Sequence, residues 1–328
     1  MRSIGSAVRA AIGDRRSVQA TVDPVPDDLR MDGKVCLVTG ANSGLGKAVA
    51  IDLARRGGHV LMACRGGHPH AGVEVRRASG SDEVRMLKVD LADLSSVHRL
   101  CDGLRREVPR IDVAVLNAGL MPRRASRSAQ GYELMFAVHF LANRVLVDRL
   151  LGDGLLRPSR MPGETPRIVV VSSETHRTAD AIDFDRLGTF APYRFRDGLK
   201  FYGESKLAQC TYVCELSRRL NPLPADAGGA PRFAVHALCP GPIDSGIARQ
   251  APLLLKPLLA CVMKAFFASP AQAAVPVVYL CCSEAAGERT GIYLHMMSEK
   301  EVSGTAGDAR TGALLWSKSA AMVAKHAP

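Results

Sequence analysis

An α/β fold, a single doubly wound parallel sheet with helices on both faces, is what this sequence of 328 residues predicts. Three observations carry the prediction. Strand-like apolar runs alternate along the chain with segments of helical spacing. The runs are continuously apolar rather than in–out, as expected of strands covered on both faces. The composition, 47% hydrophobic and 23% charged, is that of a globular chain with a sizeable core, which excludes a disordered or fibrous protein.

The elements follow in order. Residues 1–32 are a polar lead-in, read as an extension to one domain over 33–328. A strand at 35–39 runs into glycines, and helical spacing follows over 47–56. Further strands are expected at 60–64 and 84–89, a helix at about 95–106, a strand at 112–116 and a long helix over 131–151. A Pro/Gly-rich link leads to a strand at 168–172 and a helix over 200–220. After a second Pro/Ala/Gly-rich link come a strand at 233–238, a helix containing 277–281 and a last strand near 292–295. No internal repeat is visible.

Charge and cysteine usage narrow the class further. The formal charge is +11, from 43 Lys and Arg against 32 Asp and Glu. The excess is scattered arginine and aromatics are only 5%, so no nucleic-acid partner is expected. The nine cysteines are odd in number and form no CxxC pair, which points away from disulfides and metal ligands and toward a reducing, cytoplasmic setting. No run of 18 uninterrupted apolar residues occurs, and the nearest, 251–268, is broken by Lys256, Pro257 and Lys264, so no membrane span is expected. The basic N-terminus lacks a continuous apolar stretch and is no secretory signal, although a short basic helix resting on a membrane surface stays open.

The strand at 35–39 ends in Thr39-Gly40-Ala41-Asn42-Ser43-Gly44-Leu45-Gly46. A strand–glycine–helix turn presents free backbone N–H groups and the positive end of a helix dipole, where a pyrophosphate sits, and glycines let the backbone approach it. The spacing is G-x-x-x-G-x-G. The plainer alternative is a tight turn, but the strand before and the helix after favour a dinucleotide on a Rossmann-type sheet. An acidic residue about 20 positions on would hold a ribose 2′-OH. Here the next strand ends in Ala63-Cys64-Arg65, and an arginine suits a 2′-phosphate, so NADP(H) is expected over NAD(H).

Tyr202 and Lys206 stand at i, i+4 on one helix face, where a cation beside a phenol favours the phenolate and makes Tyr202 a usable acid or base. A surface pair with no role is the bland alternative, and the motif gains weight only from its surroundings.

Those surroundings resemble the short-chain dehydrogenase/reductase family, in its classical branch. The matching residues are Thr39 to Gly46, Asp90-Leu91, Asn117-Ala118-Gly119, Ser172-Ser173, Tyr202 to Lys206 and Pro240-Gly241, in family order over about 33–295. Gly33-Lys34-Val35, Ala63-Cys64-Arg65, Tyr202 to Leu207 and Leu314-Leu315-Trp316 look most like the retinol-dehydrogenase-like subgroup. The resemblance implies an oxidoreductase that moves a hydride between NADP(H) and a carbon bearing oxygen. Tyr202 would exchange the proton, Lys206 would hold the nicotinamide ribose and tune Tyr202, and Ser173 would bond the substrate oxygen. Gly40, Asn42, Ser43, Gly44, Leu45 and Gly46 would cradle the phosphates. Asp90 and Leu91 would meet the adenine, Asn117, Ala118 and Gly119 would floor the pocket, and Pro240, Gly241, Ile243 and Ser245 would place the nicotinamide.

One position departs from the family. Where its catalytic asparagine stands, in a phrase like F-x-V-N, this chain has Phe136-Ala137-Val138-His139. The asparagine normally supports a water-linked proton relay to the lysine. A neutral histidine can both donate and accept and take that role. Otherwise His139 is a satisfied core residue, and the protein is a cofactor-binding regulator with impaired turnover.

The apolar segment 251–268 would line a lipophilic substrate pocket, rest on a membrane, or simply be a buried helix pair. An insertion after Glu174 carries Phe184, Phe190, Tyr193 and Phe195 as one candidate pocket wall. The expected substrate is an apolar alcohol or carbonyl compound, and the resemblance implies a homo-oligomer through the long helices near 131–151 and 200–220.

Overall fold

A computed structural model of the chain describes residues 18–158, 163–179, 181–222, 230–242 and 268–327. Nine strands form one sheet: β1 (Val18–Thr21), β2 (Val35–Thr39), β3 (His59–Cys64), β4 (Val84–Lys88), β5 (Val113–Leu116), β6 (Arg167–Val171), β7 (Ala234–Cys239), β8 (Tyr293–His295) and β9 (Ser298–Lys300), in the order β1-β9-β8-β7-β6-β5-β2-β3-β4. The seven strands from β4 to β8 in that order pair parallel, while β9 and β1 close one edge antiparallel. The strand order reverses between β2 and β5, which is where a doubly wound sheet opens a ligand crevice at its carboxyl ends.

Helices cover both faces. On one side lie α1 (Gly44–Arg55), α2 (His70–Ser79) and α6 (Pro270–Cys282). On the other lie α3 (Leu94–Glu107), α4 (residues 134–152) and α5 (Phe195–Leu220). Each strand supplies both cores in alternation: in β2, Leu37 faces the α3/α4/α5 side while Cys36 and Val38 face the other. That is why the strands read as unbroken apolar runs. The short helices α7 (Glu284–Gly287) and α8 (Gly304–Gly307) precede the C-terminal α9 (Ala309–Ala324). Among the described residues, no helix is long and apolar enough to cross a membrane.

Four elements differ from the sequence reading. The lead-in supplies β1, which pairs with β9, and Arg56 ties the segment after it to α1 by donating to Pro26 O at 2.6 Å and Leu29 O at 3.2 Å. Neither β1 nor β9 has an apolar run, because both are short and belong to the antiparallel margin of the sheet. Helix α2 buries only Ala71, Gly72 and Val75, too narrow a stripe to read as a period. Helix α9 docks by tertiary contacts: Trp316 lies between the Arg144 and Arg219 guanidinium groups, 4.2 and 4.6 Å from its ring centre, and Arg144 donates to Trp316 O at 2.8 Å.

Candidate active site

Strand β2 ends at Thr39, and the chain turns through Gly40 (φ +67°) and Gly44 (φ +54°) into α1. No acidic residue occupies the first turn of that helix, so its N-terminal dipole and free N–H groups face the crevice uncompensated. A Cβ on Gly46 would lie 2.4 Å from Asn117 Nδ2 and 2.5 Å from Gly40 O. The helix therefore sits directly on the turn only because Gly46 has no side chain. Gly46→Ala is expected to cost about 1–3 kcal/mol through overpacking, read as a lower thermal midpoint; an unchanged midpoint would contradict the close approach.

Asn117 lines the crevice and is also tied to the turn. Its Nδ2 donates to Thr39 O at 2.9 Å, and its own N–H and that of Ala118 both donate to Thr39 Oγ1 at 3.0 Å. Thr39 thus stitches β2 to the end of β5, a hub that the sequence reading missed because a strand-end threonine carries no signal of its own.

The turn, Asn117, Ala118 and Gly119, the end of β6 and the start of α5 line a crevice of about 1160 Å³. Asn42, Ser43, Gly44, Leu45, Gly46, Ser173, Tyr202, Lys206, Pro240 and Gly241 all border it. Arg65 and Asp90 lie along a second groove of about 550 Å³ beside β4 and α3. Leu91 is placed differently from the expectation: it is buried in the core on the α3 side and lines neither space. Ile243, Ser245 and all of the apolar 251–268 segment except Ala268 lie outside the described residues. Of the insertion's aromatics, Phe184, Phe190 and Tyr193 do not line the crevice. Tyr193 stacks on Phe201 and donates to Glu133, Phe190 lies under Arg127, Phe184 packs on the core, and the side chain of Phe195 is outside what is described.

Within the crevice the polar side chains converge. Ser173 caps the 3-10 turn Glu174–Thr178, and its hydroxyl lies near enough to that of Tyr202 to favour the phenolate. The turn is fixed from behind by His176, whose Nδ1 donates to Ser173 O at 2.8 Å while its Nε2 accepts from Ser303 N at 3.1 Å. Lys206 Nζ lies 5.6 Å from the centre of the Tyr202 ring. Burial pushes the Tyr202 phenol up to about 12, with the nearby Cys239 adding to the rise and Ser173 opposing it. Burial also brings the Lys206 ammonium down to about 8. The expected lowering of the phenol by Lys206 is not found; the cost of burying phenolate sets the direction.

His139 stands at the centre of a widened π turn, Ala137–Leu141, within α4. It is fully buried, and its pKa is held well below the usual imidazole range, first by burial and then by Lys206. Ser205 Oγ donates to Tyr202 O at 2.8 Å, so His139 Nδ1 donates to Ser205 Oγ at 2.9 Å and Nε2 accepts from Leu120 N at 3.0 Å. Both nitrogens are thus committed to protein partners. The ring meets Tyr202 edge-on at 5.5 Å. Ser205, inside the Tyr–Lys motif, is a further residue that sequence alone did not single out.

The residues fit a nicotinamide dinucleotide. An added Cβ at Gly44 would meet open space, the helix N-terminus is free of acidic side chains, and the crevice runs from the glycine turn to Tyr202. Comparison with known proteins agrees. Residues 34–179 match the family model for short chain dehydrogenase. Human (Homo sapiens) retinol dehydrogenase 14 is 36% identical over 310 residues, covering 89% of this chain and 87% of its own. Polyprenol dehydrogenase of Mus musculus is 32% identical over 292 residues, covering 87% and 82%. An uncharacterized protein from Mycobacterium Paratuberculosis shares the fold at a TM-score of 0.66 and 27% identity, covering 92% and 98%. The chain belongs to the short-chain dehydrogenase/reductase family, in its retinol-dehydrogenase-like subgroup, and is an oxidoreductase acting on CH–OH groups.

Proposed function

We propose that the protein interconverts a long apolar alcohol and its carbonyl with NADP(H), using Tyr202, Ser173 and Lys206. The observation that carries this reading is the convergence of those three side chains in the same crevice as the glycine turn. The nicotinamide, when bound, supplies or takes up the hydride. Ser173 and Tyr202 both line the crevice, where their hydroxyls would stabilise charge developing on the substrate oxygen. A phenol at about 12 is fully protonated at neutral pH, so Tyr202 is ready to donate to that oxygen during carbonyl reduction. His139 holds Ser205 and Leu120 in place rather than carrying a proton, since both its nitrogens are occupied.

Retinol and polyprenol, named for two relatives, are both long isoprenoid alcohols, which supports an apolar substrate of that class. The test is NADPH absorbance with a panel of apolar aldehydes and ketones. Oxidation of NADPH by long-chain members is expected. Tight NADPH binding with no turnover across the panel would instead favour a cofactor-binding regulator.

Arg65 supports the choice of NADP(H): it is exposed at the end of β3 and has no carboxylate partner among the described residues. Charge-assisted bonds of this kind contribute about 1.5–3 kcal/mol, so Arg65→Ala is expected to raise the Kd for NADPH roughly 10- to 150-fold and leave NADH binding unchanged. Equal losses for both cofactors would remove Arg65 from the 2′-phosphate site.

A further inference from the structure

Lys206 is buried on α5, yet none of the groups acting most strongly on its ammonium is a carboxylate. The titratable groups that face it are His139, Tyr202, Cys210 and Cys239, and all four are neutral near pH 7 because burial disfavours their charged forms. What holds the ammonium is a pair of oxygens: Nζ donates to Val171 O and to Gln209 Oε1, each at 3.0 Å. Gln209 is itself only 1% exposed, and its Nε2 has no partner among the described residues.

A second buried amide shows the complementary pattern on the neighbouring helix. Asn143, also 1% exposed, donates from Nδ2 to His139 O at 2.8 Å, and its Oδ1 is left without a partner. Asn143 lies one turn beyond His139, and Gln209 one turn beyond Ser205, and His139 and Ser205 touch at 2.9 Å. The two helices stay packed in the same sense farther along, where Phe140 meets the Tyr212 ring at 5.5 Å and Arg144 lies 6.0 Å from it. The register therefore brings an orphan donor on α5 and an orphan acceptor on α4 to the same level of the helix pair. A buried amide group left unbonded costs about 1–3 kcal/mol, which favours their pairing.

We propose that Gln209 and Asn143 complete a buried hydrogen-bonded chain running from Lys206 Nζ to His139 O, and that Gln209 is the positioning residue of Lys206. Every link donates in one direction: Lys206 to Gln209, Gln209 to Asn143, and Asn143 to His139 O. The middle link passes through one water, which keeps that polarity. With Val171 O and Gln209 Oε1 taking two ammonium hydrogens, the third is left for the crevice. The chain anchors the cation and gives it acceptor oxygens without giving it a counter-charge. It ties Lys206 to the widened turn of α4, so a change at Asn143 is felt at Lys206 through Gln209. That Lys206 takes part in catalysis rests on the function proposed above; the chain itself does not.

The experiment follows the Lys206 Nζ resonance against pH in the full, cofactor-free chain labelled with ¹⁵N-lysine, the signal assigned by its loss in Lys206→Arg. Gln209→Met is expected to lower the titration midpoint by about one unit, a tenfold rise in the acid dissociation constant. Asn143→Leu should lower it by less, and the double variant should go no lower than Gln209→Met alone. Gln209→Glu should move it upward, a sign that loss of packing cannot produce and that carries the test if Gln209→Met does not fold. A midpoint untouched by Asn143→Leu, or strictly additive shifts, would overturn the chain. Shifted midpoints in a protein that turns over no carbonyl would refute the enzymatic reading and leave the chain standing; turnover with an unmoved Lys206 would do the reverse.

Discussion

Tyr202→Phe is expected to lower kcat/KM for carbonyl reduction by about a thousandfold, in the middle of the range that a positioned acid–base group contributes, while cofactor affinity stays within about twofold. The argument is subtractive. Phenylalanine keeps the ring, and with it the edge-on contact to His139 at 5.5 Å and the placement beside Lys206. Only the hydroxyl near Ser173 is removed. The proton donor goes, the crevice keeps its shape, and the glycine turn and Arg65 are untouched. Steady-state kinetics on an apolar aldehyde, paired with an NADPH fluorescence titration, separates the two quantities. Retention of more than a tenth of the wild-type rate would show that another group delivers the proton. Because burial keeps the phenol protonated up to about 12, reduction should also persist to lower pH than alcohol oxidation, which needs the phenolate.

The second large effect is on stability in mild acid. His139, His176 and His236 are fully buried, and burial lowers the pKa of each, that of His236 to about 3. The folded state keeps all three neutral where the unfolded chain, with ordinary values near 6.5, takes up protons. Their contribution is complete above that value and is lost as the pH falls below it. Each removes at most about 1.4 kcal/mol per pH unit below 6.5, and His139 and His236, whose values are lowered furthest, carry most of the loss. Glu133, Asp148 and Glu204, whose pKa values are raised by burial, act in the opposite sense nearer pH 5 and soften the fall. Urea denaturation at pH 7.5 and 5.5 measures it. His139→Asn should reduce the difference, and an unchanged slope in that variant would remove His139 from the set.

The parallel strands were legible in sequence because burial on both faces leaves an unbroken apolar run, as in Val35–Thr39 and Arg167–Val171. Strand β1 and helix α9 were not. Their stability comes from partners far along the chain, β9 for the first and Arg144 and Arg219 for the second, and no local pattern encodes such partners. Within the site, Tyr202 and Lys206 were readable as a spaced pair, and the glycines as a turn. The insertion aromatics looked like a pocket wall and instead pack around Glu133, Phe201 and the core, since an apolar residue in a loop announces only that it will be covered.

The sequence by itself determined the alternation of strands and helices, the phosphate turn and the chemical identity of the acid–base residues, because each of these is written in short-range spacing. The tertiary structure decided the protonation of those groups and the partners that fix them. It places His139, sixty-six residues from Ser205, within 2.9 Å of its hydroxyl. It buries Tyr202 so that the phenol rises although a cation stands nearby. Desolvation and cross-helix hydrogen bonding depend on what surrounds an atom in space, and spacing along the chain carries no record of that.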